Sequence, residues 1–61
     1  MPPETLREHH ARRWFRKAEN DLRNAEITMA AEYPPYDTIC FHAQQAAEKY
    51  LKGFLTFHGI P

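Results

Sequence analysis

The apolar residues in the first half of the chain recur at the period of an α-helix. They are Ala11, Trp14, Phe15, Ala18, Leu22, Ala25 and Met29. At about 100° per residue these positions fall within an arc of roughly 100°, which is typical of a helix with one apolar side. Thr5 and Glu8 precede them at the spacing of a capping box, in which the threonine side chain accepts a hydrogen bond from the glutamate amide. The pattern predicts a first helix at about residues 5–31.

A proline-rich segment interrupts the helical pattern at residues 32–37. Pro34 and Pro35 each lack an amide hydrogen, and each pushes the residue before it out of the helical conformation. Asp37 then offers a carboxylate as the N-cap of a second helix, predicted at about residues 38–58. Gly59 supplies a C-terminal stop. Because the connection is short, we expect an antiparallel two-helix hairpin, and the predicted fold class is all-α.

The second helix has one broad apolar side. Its members are Ile39, Cys40, Ala43, Ala46, Ala47, Tyr50, Leu51, Phe54, Phe57 and His58. The sequence therefore predicts that Cys40 faces the core as a small buried hydrophobe. His42 lies on the polar side, so the two are not expected to form a Cys–His nucleophile pair.

The polar side of the second helix admits two interpretations. His42, Gln45 and Lys49 are spaced by three and four residues, so they can form a polar ridge that points into a cleft. The same residues are also consistent with an ordinary solvated surface. Asp21 borders the apolar stripe of the first helix, where a buried carboxylate would need a cation or a hydrogen-bond donor.

Composition limits the chain to one small domain. A chain of 61 residues buries too little surface for a robust core, so a partner is expected to add stability. A single cysteine allows no intrachain disulfide and favours a reducing, cytoplasmic setting. A signal peptide is not expected, because Met1 to Leu6 is followed by the charged stretch REHHARR, and no membrane-spanning segment is expected from the sequence.

Charge and histidine content add little to a functional assignment. Eight basic and eight acidic residues cancel, so a general attraction to nucleic acid is not predicted. The basic residues do crowd the first third of the chain, at Arg7, Arg12, Arg13, Arg16, Lys17 and Arg23. This cluster can contact phosphate, but a solvated helix face is the favoured reading. No metal site and no cofactor are predicted, because three or four converging ligands are missing.

Several motifs together resemble the N-terminal half of the HEPN domain, the "higher eukaryotes and prokaryotes nucleotide-binding" domain. They are Trp14, the stretch AENDLRNA at residues 18–25, Tyr36-Asp37, CFHAQQAAEKYLKGFL at residues 40–55, and HGIP at residues 58–61. The resemblance covers nearly the whole chain from Trp14 onward. It assigns residues 1–61 to a single HEPN-like helical hairpin.

The resemblance implies a bundle of four or five helices that is often dimeric. Many prokaryotic members of the family accompany a minimal nucleotidyltransferase in toxin–antitoxin pairs. Several are metal-independent ribonucleases that use an Arg-x(4–6)-His motif on a later helix. No arginine in this sequence has a histidine at that spacing. We therefore expect no catalytic residues in this chain.

The leading hypothesis is a non-catalytic module that binds a nucleotide or RNA between helices. The candidate binding residues are Asp21, His42, Gln45, Lys49 and Lys52. Either lysine can meet a phosphate as a point charge. In the competing interpretation these residues are solvated or form ion pairs between the helices.

Self-association is expected because a lone hairpin exposes the apolar sides of both helices. Two hairpins would form a four-helix bundle as a homodimer, or assemble into a larger oligomer. The expected interface residues are Trp14, Ala18, Leu22, Ala43, Ala46, Ala47, Tyr50 and Phe54. Two alternatives remain open: part of a ribonuclease toxin whose motif lies beyond Pro61, and an interaction scaffold that binds no nucleotide.

Overall fold

The computed structural model describes residues 4–60, which form two α-helices. Helix α1 is Leu6–Met29 and helix α2 is Tyr36–Phe57, and the described residues contain no strand. The all-α prediction is therefore confirmed. The Cα trace measures 47 × 25 × 10 Å. Because one helix is about 10–12 Å in diameter, the hairpin is a single layer of two helices. Residues 1–3 and Pro61 of the expected 1–61 hairpin lie outside the described residues.

Helix α1 begins at the predicted cap. Thr5 is extended, with φ −75° and ψ 160°, and its Oγ1 accepts a hydrogen bond from the Glu8 amide at 3.1 Å. This bond satisfies one of the amides that have no partner within the helix. The helix ends at Met29, before the expected limit of residue 31.

Helix α2 begins earlier than predicted, and Asp37 is not its N-cap. Pro35 occupies the cap position, and its carbonyl accepts from the Ile39 amide at 3.1 Å. With φ −78° and ψ 96° this proline is extended, which is the conformation of a residue that precedes a helix. Asp37 lies instead in the first turn, where its negative charge favours the helix dipole.

Helix α2 ends at the glycine that the sequence indicates. Gly59 has a φ of +68°, a left-handed conformation that only glycine adopts at little cost. The Gly59 amide donates to the Thr56 carbonyl at 3.1 Å, and the Ile60 amide donates to the Leu55 carbonyl at 2.8 Å. These two bonds are the pattern of a Schellman motif.

Small residues line the contact between the helices. Ala11, Ala18 and Ala25 are buried on α1 at intervals of seven residues, and Ala46 and Gly53 are buried on α2 at the same interval. Seven residues are about two helical turns, so each set forms one row along its helix. A row of small side chains allows two backbones to approach closely.

Much of the broad apolar side of α2 stays exposed although Ala46 packs against α1, and the prediction that Cys40 is buried is wrong. Cys40 is exposed, as are Ala43 and Ala47. Tyr50 is 38% and Phe54 52% exposed. The physical reason is size and charge: where the two helices approach closely only small residues such as Ala46 and Gly53 fit, and Asp21 requires polar partners opposite.

Candidate functional site

A polar cluster lies between the helices at Asp21. This carboxylate is buried on α1, at 9% exposure, between Ala18 and Ala25. The ammonium of Lys49, on α2, donates a hydrogen bond to Asp21 Oδ2. The two residues are 28 positions apart in sequence, so the bond joins the two helices. A charge-assisted bond of this kind offsets the cost of burying the carboxylate.

His42 completes the cluster on the other oxygen of the same carboxylate. Its Nδ1 lies 3.5 Å from Asp21 Oδ1, at the outer limit of a hydrogen bond. This nitrogen is buried and makes no hydrogen bond within the described residues. Since His42 and Lys49 are seven residues apart on one helix, they flank Asp21 from positions two turns apart.

The cluster stabilises the ionised form of Asp21. The hydrogen bond from Lys49 is the main cause that lowers the pKa of Asp21 below its ordinary value of 3.8. Burial of the carboxyl acts in the opposite direction, and the charge of Lys49 and the contact with His42 add to the lowering. Asp21 is therefore a carboxylate at neutral pH, and it holds the Lys49 ammonium in a fixed position.

The structure brings together three of the five predicted binding residues, namely Asp21, His42 and Lys49. Gln45 is half-buried on the same helix as Lys49. Lys52 is exposed and does not contact the Asp21 carboxylate. Its ammonium lies instead 5.0 Å from the centre of the Trp14 ring. That distance is within the range of a cation–π contact.

A basic groove adjoins the polar cluster. Its volume is about 420 Å³, and it is lined by Arg13, Arg16, Lys17 and Asn20 of α1 and by Lys49 of α2. A smaller hollow of about 190 Å³ lies beside it, and Arg13 and Lys17 line both. The ammonium of Lys17 is also 5.1 Å from the centre of the Trp14 ring, which borders the smaller hollow.

The first four residues of this groove were not among the predicted site residues. Arg13, Lys17 and Asn20 are spaced by four and three residues, and Arg16 lies beside Lys17, so they share one side of α1. That spacing was visible in the sequence. The contribution of Lys49 was not visible, because it depends on how α2 packs against α1.

Two further findings describe the 4–60 region. No group of three or more His, Cys, Asp or Glu side chains there could hold a metal ion. Neither helix is long and apolar enough to cross a membrane.

The chain matches the model of a known protein family. The family model described as "HEPN domain" matches residues 11–61. No curated protein matches the chain. No solved structure matches it either.

Proposed function

Because the chain belongs to the HEPN domain family, we propose that it acts as a non-catalytic helical module that pairs with a second copy of itself and binds a nucleotide or RNA. The observation that carries this proposal is the apolar side of α2, which α1 covers only in part. Tyr50, Leu51, Phe54 and Phe57 are between 38% and 58% exposed on it. Fully burying one such side chain contributes about 1.5–3 kcal/mol, so covering this side would stabilise the hairpin substantially.

The hairpin needs such a contribution because its own core is small. The buried apolar residues among those described are four alanines: Ala11, Ala18, Ala25 and Ala46. No large side chain among the described residues is fully buried. A chain of this length is marginal even with a full-sized core, so a second layer of helices supplies what the single layer lacks.

A second copy is the occupant that fits this apolar side best. The chain has a formal net charge of zero, so two copies do not repel each other. A two-fold pair brings the same apolar surface from each copy together and forms a four-helix bundle. Of the eight interface residues expected from sequence, Ala18 and Ala46 are covered within one hairpin. The proposed interface therefore keeps Trp14, Leu22, Ala43, Ala47, Tyr50 and Phe54.

The proposed binding role rests on the polar residues at the junction of the helices. Asp21, His42, Gln45, Lys49 and Lys52 remain the residues proposed to serve nucleotide or RNA binding. Within this set, Asp21 and His42 act by positioning Lys49. The cytoplasmic setting, the toxin–antitoxin context and a minimal nucleotidyltransferase partner are further parts of this proposal, supported by the family and by the single cysteine.

Sedimentation equilibrium over a dilution series, with helicity followed by circular dichroism, tests the assembly. We expect a helical dimer that loses helicity as it dissociates. Phe54→Glu should weaken the dimer, whereas Tyr33→Glu, at an 86% exposed position in the loop, should not. A helical monomer at low micromolar concentration would contradict the proposal, and so would equal effects of the two variants. Heat of binding on nucleotide titration separates a binding module from a pure interaction scaffold.

A further inference from the structure

The basic groove concentrates positive charge in a chain whose formal charges cancel. Four of its five lining residues are cations, and the fifth, Asn20, carries an amide that can donate hydrogen bonds. Three cations come from neighbouring positions 13, 16 and 17 of α1, and the fourth comes from α2. Like charges that line one groove repel one another, and a bound anion would reduce that repulsion.

The cations on α1 are available to a ligand. Within residues 4–60, Arg13, Arg16 and Lys17 form no ion pair with a carboxylate, whereas the neighbouring Arg12 pairs with Glu4 at 2.7 Å. Arg13 and Arg16 are exposed, so their guanidinium groups can reorient towards an anion. The groove therefore combines open positive charge with a concave surface.

The cation from α2 is held differently. Lys49 is half-buried, and its ammonium donates a hydrogen bond to the buried Asp21 carboxylate between the two helices. Asp21 thus sets the position from which Lys49 reaches the groove. The site exists only when the two helices are packed, since its lining comes from both.

We propose that this groove is a binding site for the phosphate groups of a nucleotide or of an RNA chain. The proposal deepens the binding part of the proposed function and does not depend on self-association. Arginine matches the oxygens of phosphate with paired N–H donors, and lysine adds a point charge. A volume of about 420 Å³ lies within the range of small-ligand sites. At about 1.5 Å per residue, residues 13 to 20 extend about 10 Å, enough for more than one phosphate.

Calorimetric titration of the whole chain with inorganic triphosphate, adenosine triphosphate and a short oligouridylate tests the site. Arg16→Gln and Lys17→Gln should each weaken binding about fivefold, because each removes a charge-assisted hydrogen bond in a partly solvated site. Arg23→Gln is the matched control, since Arg23 is an exposed cation of α1 outside the groove lining. It should change affinity less than about twofold.

Salt dependence and positioning provide two further readouts. Binding of the oligouridylate should weaken between about 50 and 200 mM salt, and each groove variant should reduce the slope of log affinity against log salt by about one. Asp21→Asn should weaken phosphate binding although it removes a negative charge, because it releases Lys49. Stronger binding by Asp21→Asn would show that Asp21 merely repels the anion, and would overturn its positioning role.

The three ligands distinguish the sources of phosphate. Binding of adenosine triphosphate without binding of the oligouridylate identifies a nucleotide site, and binding of the oligouridylate alone identifies an RNA backbone site. The proposal is overturned if none of the three binds, if Arg23→Gln weakens binding as much as Arg16→Gln, or if a polyglutamate peptide binds equally well. Sedimentation of the same samples shows whether self-association holds, so each proposal can fail without the other.

Discussion

Lys49 on α2 donates a hydrogen bond to the buried carboxylate of Asp21 on α1, and this bond joins the two helices at a polar point within a row of alanines. The contact has a structural and a functional consequence. It fixes which side of α2 faces α1, because Lys49 and His42 must both lie opposite Asp21. It also places a cation at the edge of the basic groove. The polar residues at this junction therefore determine the packing as well as the chemistry.

Removing the charge of Asp21 should destabilise the hairpin. Asp21→Asn leaves the half-buried Lys49 ammonium without its counter-charge, so the urea midpoint of unfolding should fall. Glu19→Gln is the matched control, because Glu19 is an exposed carboxylate on the same helix. In the double variant Asp21→Asn, Lys49→Met, the loss should be smaller than the sum of the two single losses. Strict additivity would show that the two residues do not interact in solution.

Stability should depend on pH through Asp21. The folded state lowers the pKa of this carboxyl, so its contribution to stability is fully present above the ordinary value of 3.8 and is lost as pH falls through the lowered folded value. The difference in urea midpoint between the wild type and Asp21→Asn should therefore shrink as pH falls below about 4. A difference that stays constant down to pH 2 would contradict the assignment.

The helices and their ends could be predicted from sequence because those signals are local. Thr5 lies three residues before its hydrogen-bond donor Glu8, and Gly59 ends α2 through bonds within five residues. The prediction of Asp37 as the cap is wrong because the sequence offers both a proline and an aspartate at that boundary. The proline, with its extended backbone, takes the cap position.

The contact face of α2 could not be predicted from hydrophobicity alone. A helical projection groups Cys40, Tyr50 and Phe54 on the apolar side, but the side that packs is set by what α1 presents. The α1 surface carries a row of alanines, the Phe15 ring and one carboxylate, and Ala46, Gly53 and Lys49 of α2 pack against it. The groove could not be predicted for the same reason, because its lining combines residues of α1 with Lys49 of α2.

Gly53 packs closely against the Phe15 ring. The effect of Gly53→Ala on the stability of the hairpin should therefore depend on that ring. A Cβ at position 53 would lie 2.5 Å from Phe15 Cε1, so the ring must move. Such overpacking costs about 1–3 kcal/mol, which exceeds or cancels the gain of about 1 kcal/mol from alanine in a helix. Gly53→Ala should therefore be neutral to destabilising in the wild type, measured by urea unfolding.

The same substitution in a Phe15→Ala background isolates this contact. Without the ring, Gly53→Ala should stabilise the helix by about 1 kcal/mol, because only the helix propensity remains. A double-mutant cycle then gives a coupling between the two positions. Equal effects of Gly53→Ala in both backgrounds would show that the ring does not pack on the glycine.

The end of α2 should depend on the left-handed conformation of Gly59. With φ at +68°, Gly59→Ala introduces a Cβ that this conformation disfavours, at a cost of about 1–2 kcal/mol. Asparagine enters the left-handed region more readily than alanine, so Gly59→Asn should be less destabilising. The expected order of urea midpoints is glycine, then asparagine, then alanine. If asparagine and alanine are equivalent, the loss comes from side-chain contacts, such as that with Arg7, and not from the backbone.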